Sequence, residues 1–142
     1  MYRLPSEAER EYVTRAGATT PFSWEGQITT NKANYNGNHS YLSSPKGEFR
    51  GMTVPVDSFE PNPWGLYHVH GNVWEWCEDN SHDNYQGAPV DGSVWSGGDS
   101  SLRVLRGGSW YNDPPSLRSA SRIRFKSVDR DKGMGFRVAR TL

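Results

Sequence analysis

Fifteen glycines and nine prolines, scattered between Pro5 and Gly135 of a 142-residue chain, constrain the fold more than any other feature. Glycine weakens helix and strand interiors and proline removes a backbone donor, so regular elements must be short. A helical bundle is excluded. Aromatic residues make up 13% of the chain and include six tryptophans, which excludes a disordered polymer and requires a folded, loop-rich domain. No stretch approaches the roughly 18 apolar residues of a membrane span. The length suits one domain, taken as residues 1–142. Met1 to Ala8 holds charges and a proline where a secretory signal needs an apolar run, so the expected setting is cytoplasmic or display within a larger protein. A single cysteine, Cys77, excludes an internal disulfide and a Cys-built zinc site.

The 16 basic and 16 acidic side chains cancel overall but not locally. Met1 to Ser101 carries 6 basic and 13 acidic residues, a charge of −7, whereas Leu102 to Leu142 carries 10 and 3, a charge of +7. A basic surface for nucleic acid or another anion is one reading. The preferred one buries the arginine stems as the tail packs on the acidic body and pairs with its carboxylates. Nucleic acid is therefore not an expected partner.

Ser6 followed by Glu9 reads as a capping box, Leu4 can staple the entry and Gly17 can end the helix, with Ala8, Tyr12 and Val13 as its apolar stripe. From Ala18 to Pro63 no periodicity appears; Phe22, Trp24, Tyr35, Tyr41, Phe49 and Phe59 read as anchors pinning an irregular connection. Leu66 to Trp76, Arg103 to Trp110 and Gly135 to Arg140 read as short strands, with Gly71, Gly107 and Gly108 at bulges or close approaches.

Five blocks then occur in order: RLPSEAEREY (Arg3 to Tyr12), PVDSFEPNPWGLYHVHGNVWEW (Pro55 to Trp76), RVLRGGSW (Arg103 to Trp110), LRSASR (Leu117 to Arg122) and GFRVAR (Gly135 to Arg140). Together they resemble the formylglycine-generating enzyme, or sulfatase-modifying factor, superfamily. The resemblance implies an α+β, C-type-lectin-like fold with little regular structure: a small twisted antiparallel sheet, one or two short helices and long loops. The family's domain normally has an N-terminal portion ahead of RLPSEAE, and the resemblance leaves three readings of its absence from these residues: removed, never present, or supplied by a complementing chain or an oligomer. Trp74, Trp76, Trp110 and Phe136 are expected in the core, and Arg106, Arg122 and Arg137 buried against carboxylates.

The fold does not settle the activity. The family's copper oxidases use two cysteines after the GGS turn, because soft thiolates suit Cu(I). Those positions here are Asn112 and Leu117, so copper is not expected. Cys77 lies outside that motif and reads as a small buried strand residue. The superfamily's sulfoxide synthases carry their iron ligands in a separate helical domain, which this chain lacks. His68 and His70, alternating on a strand, would face one side, and with Glu75 or Asp79 could form a metal cluster; the plainer reading makes them structural. No nucleophile elbow supports a Ser-His-Asp site.

Calcium is the cofactor that the resemblance implies, held by carbonyl and carboxylate oxygens in a structural role. One set would be His68, the Gly71 and Val73 carbonyls and Glu75; position 68 is Asp or Asn in the family, and a neutral imidazole is a poor ligand, so this site should be weak. The other would be Asn34 with the Tyr35 and Phe49 carbonyls, Glu48 being the nearest acid.

Trp110 to Met134 resembles the variable region of proteins diversified by retroelements, whose template places asparagines at the changing positions. Those places hold Tyr111, Asn112, Asp113, Pro115, Ser116, Ser121, Ile123, Arg124, Phe125, Asp131 and Gly133, and adenine replacement in AAC or AAT codons can produce all eleven. Lys126 and Lys132 cannot arise in that way. Tyr, Asn, Ser and Asp suit adaptable contact surfaces, whereas the intervening Trp110, Leu117, Ala120 and Arg122 suit packing and should point inward. The reading is a non-catalytic ligand-binding or display domain that uses residues 111–133 on an unidentified protein or small ligand. The alternatives are an ordinary family member with drifted loops and a family enzyme, oxidase-like or sulfoxide-synthase-like, without the copper cysteines.

Overall fold

The computed structural model describes residues 1–141. In chain order it comprises β1 (Tyr2–Arg3), α1 (Glu7–Arg15), β2 (Trp74–Ser81), β3 (Asp99–Arg106), a 3-10 turn (Pro114–Leu117), β4 (Arg122–Lys126), β5 (Met134–Gly135) and β6 (Ala139–Arg140). Four strands form a sheet of order β4-β3-β2-β5; β5 joins it parallel to β2, and the other pairs are antiparallel. β1 and β6 pair separately. The α+β class is as expected, and the sheet is mixed at its β5 edge.

The capping box opens α1: Ser6 Oγ accepts from the Glu9 N–H at 3.1 Å, and Glu9 Oε2 accepts from the Ser6 N–H at 2.8 Å. Ala16 and Gly17, both left-handed, close it. The buried face is not the expected stripe. Ala8 is exposed, Tyr12 is 67% exposed against Trp64, and the face turned inward is Glu7, Arg10 and Thr14. Ion pairing explains this inversion. Glu7 takes Arg106 at 2.7 Å and Arg122 at 2.8 Å; Glu75 takes Arg10 at 2.7 Å and Arg137 at 2.5 Å; Glu11 takes Arg106 at 2.7 Å. The basic tail thus packs on the acidic body, with Arg106 buried and Arg122 and Arg137 partly so.

Strand boundaries differ from the sequence reading for a backbone reason. His68, Gly71 and Asn72 are all left-handed, so Leu66 to Val73 cannot hold a pleat, and β2 starts only at Trp74 and runs on to Ser81. β3 likewise ends at Arg106, because Gly107 and Gly108 both have positive φ. A Cβ on Gly71 would strike the Asn34 carbonyl and the Leu117 side chain, a close approach only glycine allows. Trp74 and Trp110 are buried as expected. Trp76 is only half-buried, Ala120 is exposed, and Phe136 is 69% exposed, because nothing among the described residues covers the outer side of Phe136.

The irregular connection is held by a core of Phe22, Ile28, Ala33, Tyr35 and Leu117, with Trp24 and Tyr41 against it. Asparagine side chains replace the missing ladders. Asn72 Oδ1 accepts from Asn34 Nδ2 and from the Val54 N–H, each at 3.0 Å, and Asn62 Oδ1 accepts from the Trp64 and Leu66 N–H groups while its Nδ2 donates to the Val13 carbonyl at 2.6 Å. Trp110→Ala, which empties a buried aromatic site, is expected to cost roughly 3–5 kcal/mol in urea denaturation, and Tyr12→Ala about 1 kcal/mol or less. Equal losses would contradict the inward and outward assignments.

Candidate binding surface

β4 orders part of the region from 111 to 133. Its sequence alternates Arg122, Ile123, Arg124, Phe125, Lys126, and its register opposes Ile123 to Leu105 and Phe125 to Arg103. Leu105 in turn faces Trp76, so Ile123, Phe125 and Trp76 share one side of the sheet with Trp74, two residues before Trp76. Asn112 joins that side: its Oδ1 accepts from Trp74 Nε1 at 2.7 Å, Ser109 Oγ at 2.5 Å and the Ser109 N–H at 3.1 Å. Beside it the Tyr111 hydroxyl donates to Asp131 Oδ1 at 2.8 Å, and the same oxygen accepts from the Gly133 N–H at 2.8 Å. Tyr111 meets Trp110 edge-on at 5.1 Å, while Phe49 stacks on Trp110 at 6.0 Å and Lys132 Nζ lies 5.0 Å from the Trp110 ring.

Other members lie apart. Asp113 faces His39 at 3.7 Å. Ser121 Oγ donates to the Pro115 carbonyl at 2.7 Å, by the turn that holds Ser116. Arg124 points to the opposite side of the sheet and pairs with Asp83 at 2.6 Å, where Ile123 and Arg124 border an open cavity of about 420 Å³. Of the eleven positions only Gly133 is buried, under the Tyr111 ring; Asp113, Pro115, Arg124, Phe125 and Asp131 are exposed and the rest half-buried. The sequence reading missed β4 and the Phe49 and Lys132 contacts to Trp110. The signal for β4 was present in the charged-apolar alternation of 122–126.

Asn112 and Leu117, the positions at which the resemblance would place copper thiolates, are a carboxamide engaged in three hydrogen bonds and a fully buried core side chain. Burial pushes the Cys77 thiol up to about 12, which keeps it protonated at neutral pH. His68 and His70 do not share a face, because the left-handed φ of His68 breaks the alternation: His68 Nε2 bonds the Pro55 carbonyl at 2.8 Å, whereas His70 is buried beneath Leu117. Among the described residues no three His, Cys, Asp or Glu side chains converge as a metal site.

The two oxygen sets differ in their fit to calcium. Burial alone would raise the Glu75 pKa, but Arg10 and Arg137 outweigh it and hold the carboxylate below its usual range. Two guanidinium groups already pair with Glu75, and the Gly71 carbonyl accepts from the Val73 N–H at 3.0 Å, so the set of His68, Gly71, Val73 and Glu75 does not fit a third cation. Asn34 is different: its Oδ1 is buried without a donor, an orphan acceptor of the kind that a hard cation satisfies. Tyr35 is buried beside it, and Phe49 is exposed on Trp110.

A short capped helix, a small curled sheet and long loops tied by asparagines and buried ion pairs define a formylglycine-generating-enzyme-type domain. Residues 1–142 match the FGE-sulfatase family, the sulfatase-modifying factor enzyme 1-like domain, and the chain belongs to that family. It is 33% identical over 147 residues to the formylglycine-generating enzyme of Mus musculus, covering 96% of this chain and 38% of that one. It is 35% identical over 145 residues to the inactive C-alpha-formylglycine-generating enzyme 2 of Bos taurus, covering 96% and 43%. It is also 35% identical over 141 residues to the serine/threonine-protein kinase pkn1 of Chlamydia caviae, covering 97% and 21%. The chain thus spans well under half the length of these relatives. Among solved structures, PvdO from Pseudomonas aeruginosa superposes with a TM-score of 0.84 at 43% identity, covering 99% of this chain and 53% of that one. Treponema denticola variable protein 1 superposes with a TM-score of 0.75 at 34% identity, covering 96% and 46%.

His70, buried beneath Leu117 and away from the surface, gives the domain a pH signature. The Ser23 N–H donates to its Nε2 at 3.0 Å and its Nδ1 lies 2.7 Å from the Leu117 carbonyl, so one neutral tautomer satisfies both contacts. Burial pushes its pKa down from 6.5 to about 4, against the Leu117 bond, which favours the cation. Between those values the unfolded chain binds a proton that the folded chain excludes, so this contribution to stability is lost as the pH falls from 6.5 to 4, about 3 kcal/mol in all. In a urea series over that range, His70→Gln is expected to show a flatter decline than the parent; identical slopes would refute the buried neutral state.

Proposed function

We propose that the chain is a non-catalytic binding or display module whose contact surface is built from the positions between 111 and 133. The observation that carries this reading is the exposure pattern: of eleven positions set by the template resemblance, only Gly133 is buried, while the intervening Trp110 and Leu117 are core. The likeness to a variable protein, and the relative described as inactive, support it. So does the chemistry at Asn112 and Leu117, where a carboxamide and a packed aliphatic chain stand in place of a thiolate pair. Tyr111 and Phe125 offer amphipathic and apolar contact area, and Asp113 and Asp131 offer carboxylates, the mixture that adaptable binding surfaces use.

A combined variant carrying Tyr111→Ala, Asp113→Ala, Phe125→Ser and Asp131→Ala is expected to unfold within about 1–2 kcal/mol of the parent. A library randomised at the exposed positions and displayed on yeast is expected to yield specific binders to a panel of purified proteins. Collapse of the combined variant, or a library of mostly unfolded members, would contradict the reading. In the encoding DNA, a nearby near-repeat with adenines at these codons is expected under retroelement diversification, and its absence would leave ordinary loop drift as the origin of the surface.

A structural calcium ion at Asn34 with the Tyr35 and Phe49 carbonyls belongs to the same proposal. Its support is the orphaned Asn34 Oδ1. Chelation with EDTA is expected to lower Tm, calcium to restore it and Asn34→Ala to abolish the difference. A Tm indifferent to EDTA would exclude the ion.

A further inference from the structure

A cavity of about 440 Å³ opens between the loop of 23–32 and the segment of 59–70, walled by Trp24, Phe59, Pro61, Pro63, Leu66 and Val69, with the exposed Glu25, Lys32 and Glu60 at its mouth. None of the eleven positions between 111 and 133 borders it. Its polar groups fall into two kinds. His70 and Asn62 are saturated: the Ser23 N–H and hydroxyl meet His70 Nε2 at 3.0 and 3.1 Å, His70 Nδ1 lies 2.7 Å from the Leu117 carbonyl, and both ends of the Asn62 carboxamide hold backbone groups. Trp24 Nε1 and His68 Nδ1, in contrast, are buried without a partner among the described residues. His68 Nε2 lies 2.8 Å from the Pro55 carbonyl, and a carbonyl only accepts, so the proton of the neutral ring sits on Nε2 and Nδ1 is an acceptor. The wall therefore offers one unused donor, the indole N–H, and one unused acceptor. A buried polar group without a partner is costly, and two on residues of one cavity point to an occupant that serves both.

The remaining wall sets the body of that occupant. An indole, a phenyl and two proline rings are flat and apolar, and they are held in place: Phe22 stacks on Trp24 at 5.4 Å, and His68 meets Phe59 edge-on at 5.5 Å. The lysine and two glutamates at the mouth present both signs to water, where charge discriminates weakly. The volume suits a molecule of fragment size. We propose that this cavity binds a neutral aromatic amide, an aromatic side chain with its adjoining peptide group. Its ring lies against Trp24 and Phe59, its carbonyl accepts from Trp24 Nε1 and its amide N–H donates to His68 Nδ1. Lys32, exposed with its Nζ 5.5 Å from the centre of the Trp24 ring, swings aside to admit it. A free aromatic amide and a polypeptide segment presenting a phenylalanine carry the same chemistry. The site is independent of the surface proposed at 111–133.

The test titrates the ¹⁵N-labelled chain with 3-phenylpropanamide and with the capped tripeptide acetyl-Ala-Phe-Ala-amide, and follows the indole N–H signal of Trp24, identified by its loss in Trp24→Phe. That signal is expected to shift saturably, with a dissociation constant on the order of 1 mM for the small amide, as suits a ligand of its size. Tighter binding of the tripeptide assigns a polypeptide as the source, and weaker binding a free amide. Propanamide, which lacks the ring, ethylbenzene, which lacks the amide, and N,N-dimethyl-3-phenylpropanamide, which lacks the N–H, are each expected to bind at least about tenfold more weakly, as is 3-phenylpropanamide to Trp24→Phe. Should Trp24→Phe unfold, the comparison of these ligands on the unmodified chain decides, with a tryptophan-free assignment of the signal from through-space contacts to Phe22. The proposal is overturned if the Trp24 signal stays unmoved by both probes at about 20 mM, if shifts are confined to 111–133, if any of the three truncated ligands binds as well as 3-phenylpropanamide, or if folded Trp24→Phe binds it as the parent does.

Discussion

Glu7 and Glu75 each hold two arginines from distant parts of the chain, and the rest of the domain is arranged around those four contacts. Glu7 joins α1 to β3 through Arg106 and to β4 through Arg122, and Glu75 joins β2 to α1 through Arg10 and to the C-terminal segment through Arg137. With few aliphatic side chains available, the centre is built from charge, fixed by further bonds such as Arg10 to the Val69 carbonyl and Arg106 to the Ser119 carbonyl. Such pairs contribute little net stability over an apolar core of the same shape, but losing one partner strands a buried charge at a cost of several kcal/mol. The network therefore acts mainly on specificity. A helix with its charged face inward can dock only where matching arginines wait for it.

The same economy runs through the loops. Where another α+β domain would close its connections with strand ladders, this one uses side-chain amides at Asn62 and Asn72 and left-handed turns at His68, Gly71 and Asn72. A loop tied at defined atoms keeps its shape without regular structure, so a surface carried on loops can stay rigid. The Ser109, Asn112 and Trp74 contacts connect the surface region to β2 in this way.

Legibility in the sequence followed the range of the interaction concerned. The capping box at Ser6 and Glu9 is a contact three residues long and was readable directly, and the opposite charges of body and tail gave the Arg106, Arg122 and Arg137 pairings in kind. The buried face of α1 was not readable. Ala8, Tyr12 and Val13 satisfy helical periodicity as well as Glu7, Arg10 and Thr14 do, and only the arrival of Arg106, Arg122 and Glu75 from far along the chain decides between them. The strand ends failed for a related reason: the Gly107 and Gly108 turn was visible as glycines, but His68 adopts a left-handed conformation that its residue type does not announce. Phe136 had the signature of a core residue, yet it stands 69% exposed, because its neighbour Arg137 takes the inward position on Glu75.

The eleven positions of the candidate surface carry different constraints, which narrows the set that can vary freely. Asn112 spends its carbonyl oxygen on three donors, two of them in Ser109 and one in the buried Trp74, so a side chain without an acceptor there would orphan scaffold donors. Gly133 lies under the Tyr111 ring, where a Cβ would collide, so any other residue at 133 requires a change at 111. Tyr111 and Asp131 are coupled by their hydrogen bond, and Arg124 faces the other side of the sheet. What remains for independent contact is Asp113, Pro115, Ser116, Ser121, Ile123 and Phe125, with Tyr111 and Asp131 exchanging as a pair. A surface of that size suits a module whose scaffold is fixed by buried ions and whose partner is chosen by a few side chains at the rim of its sheet.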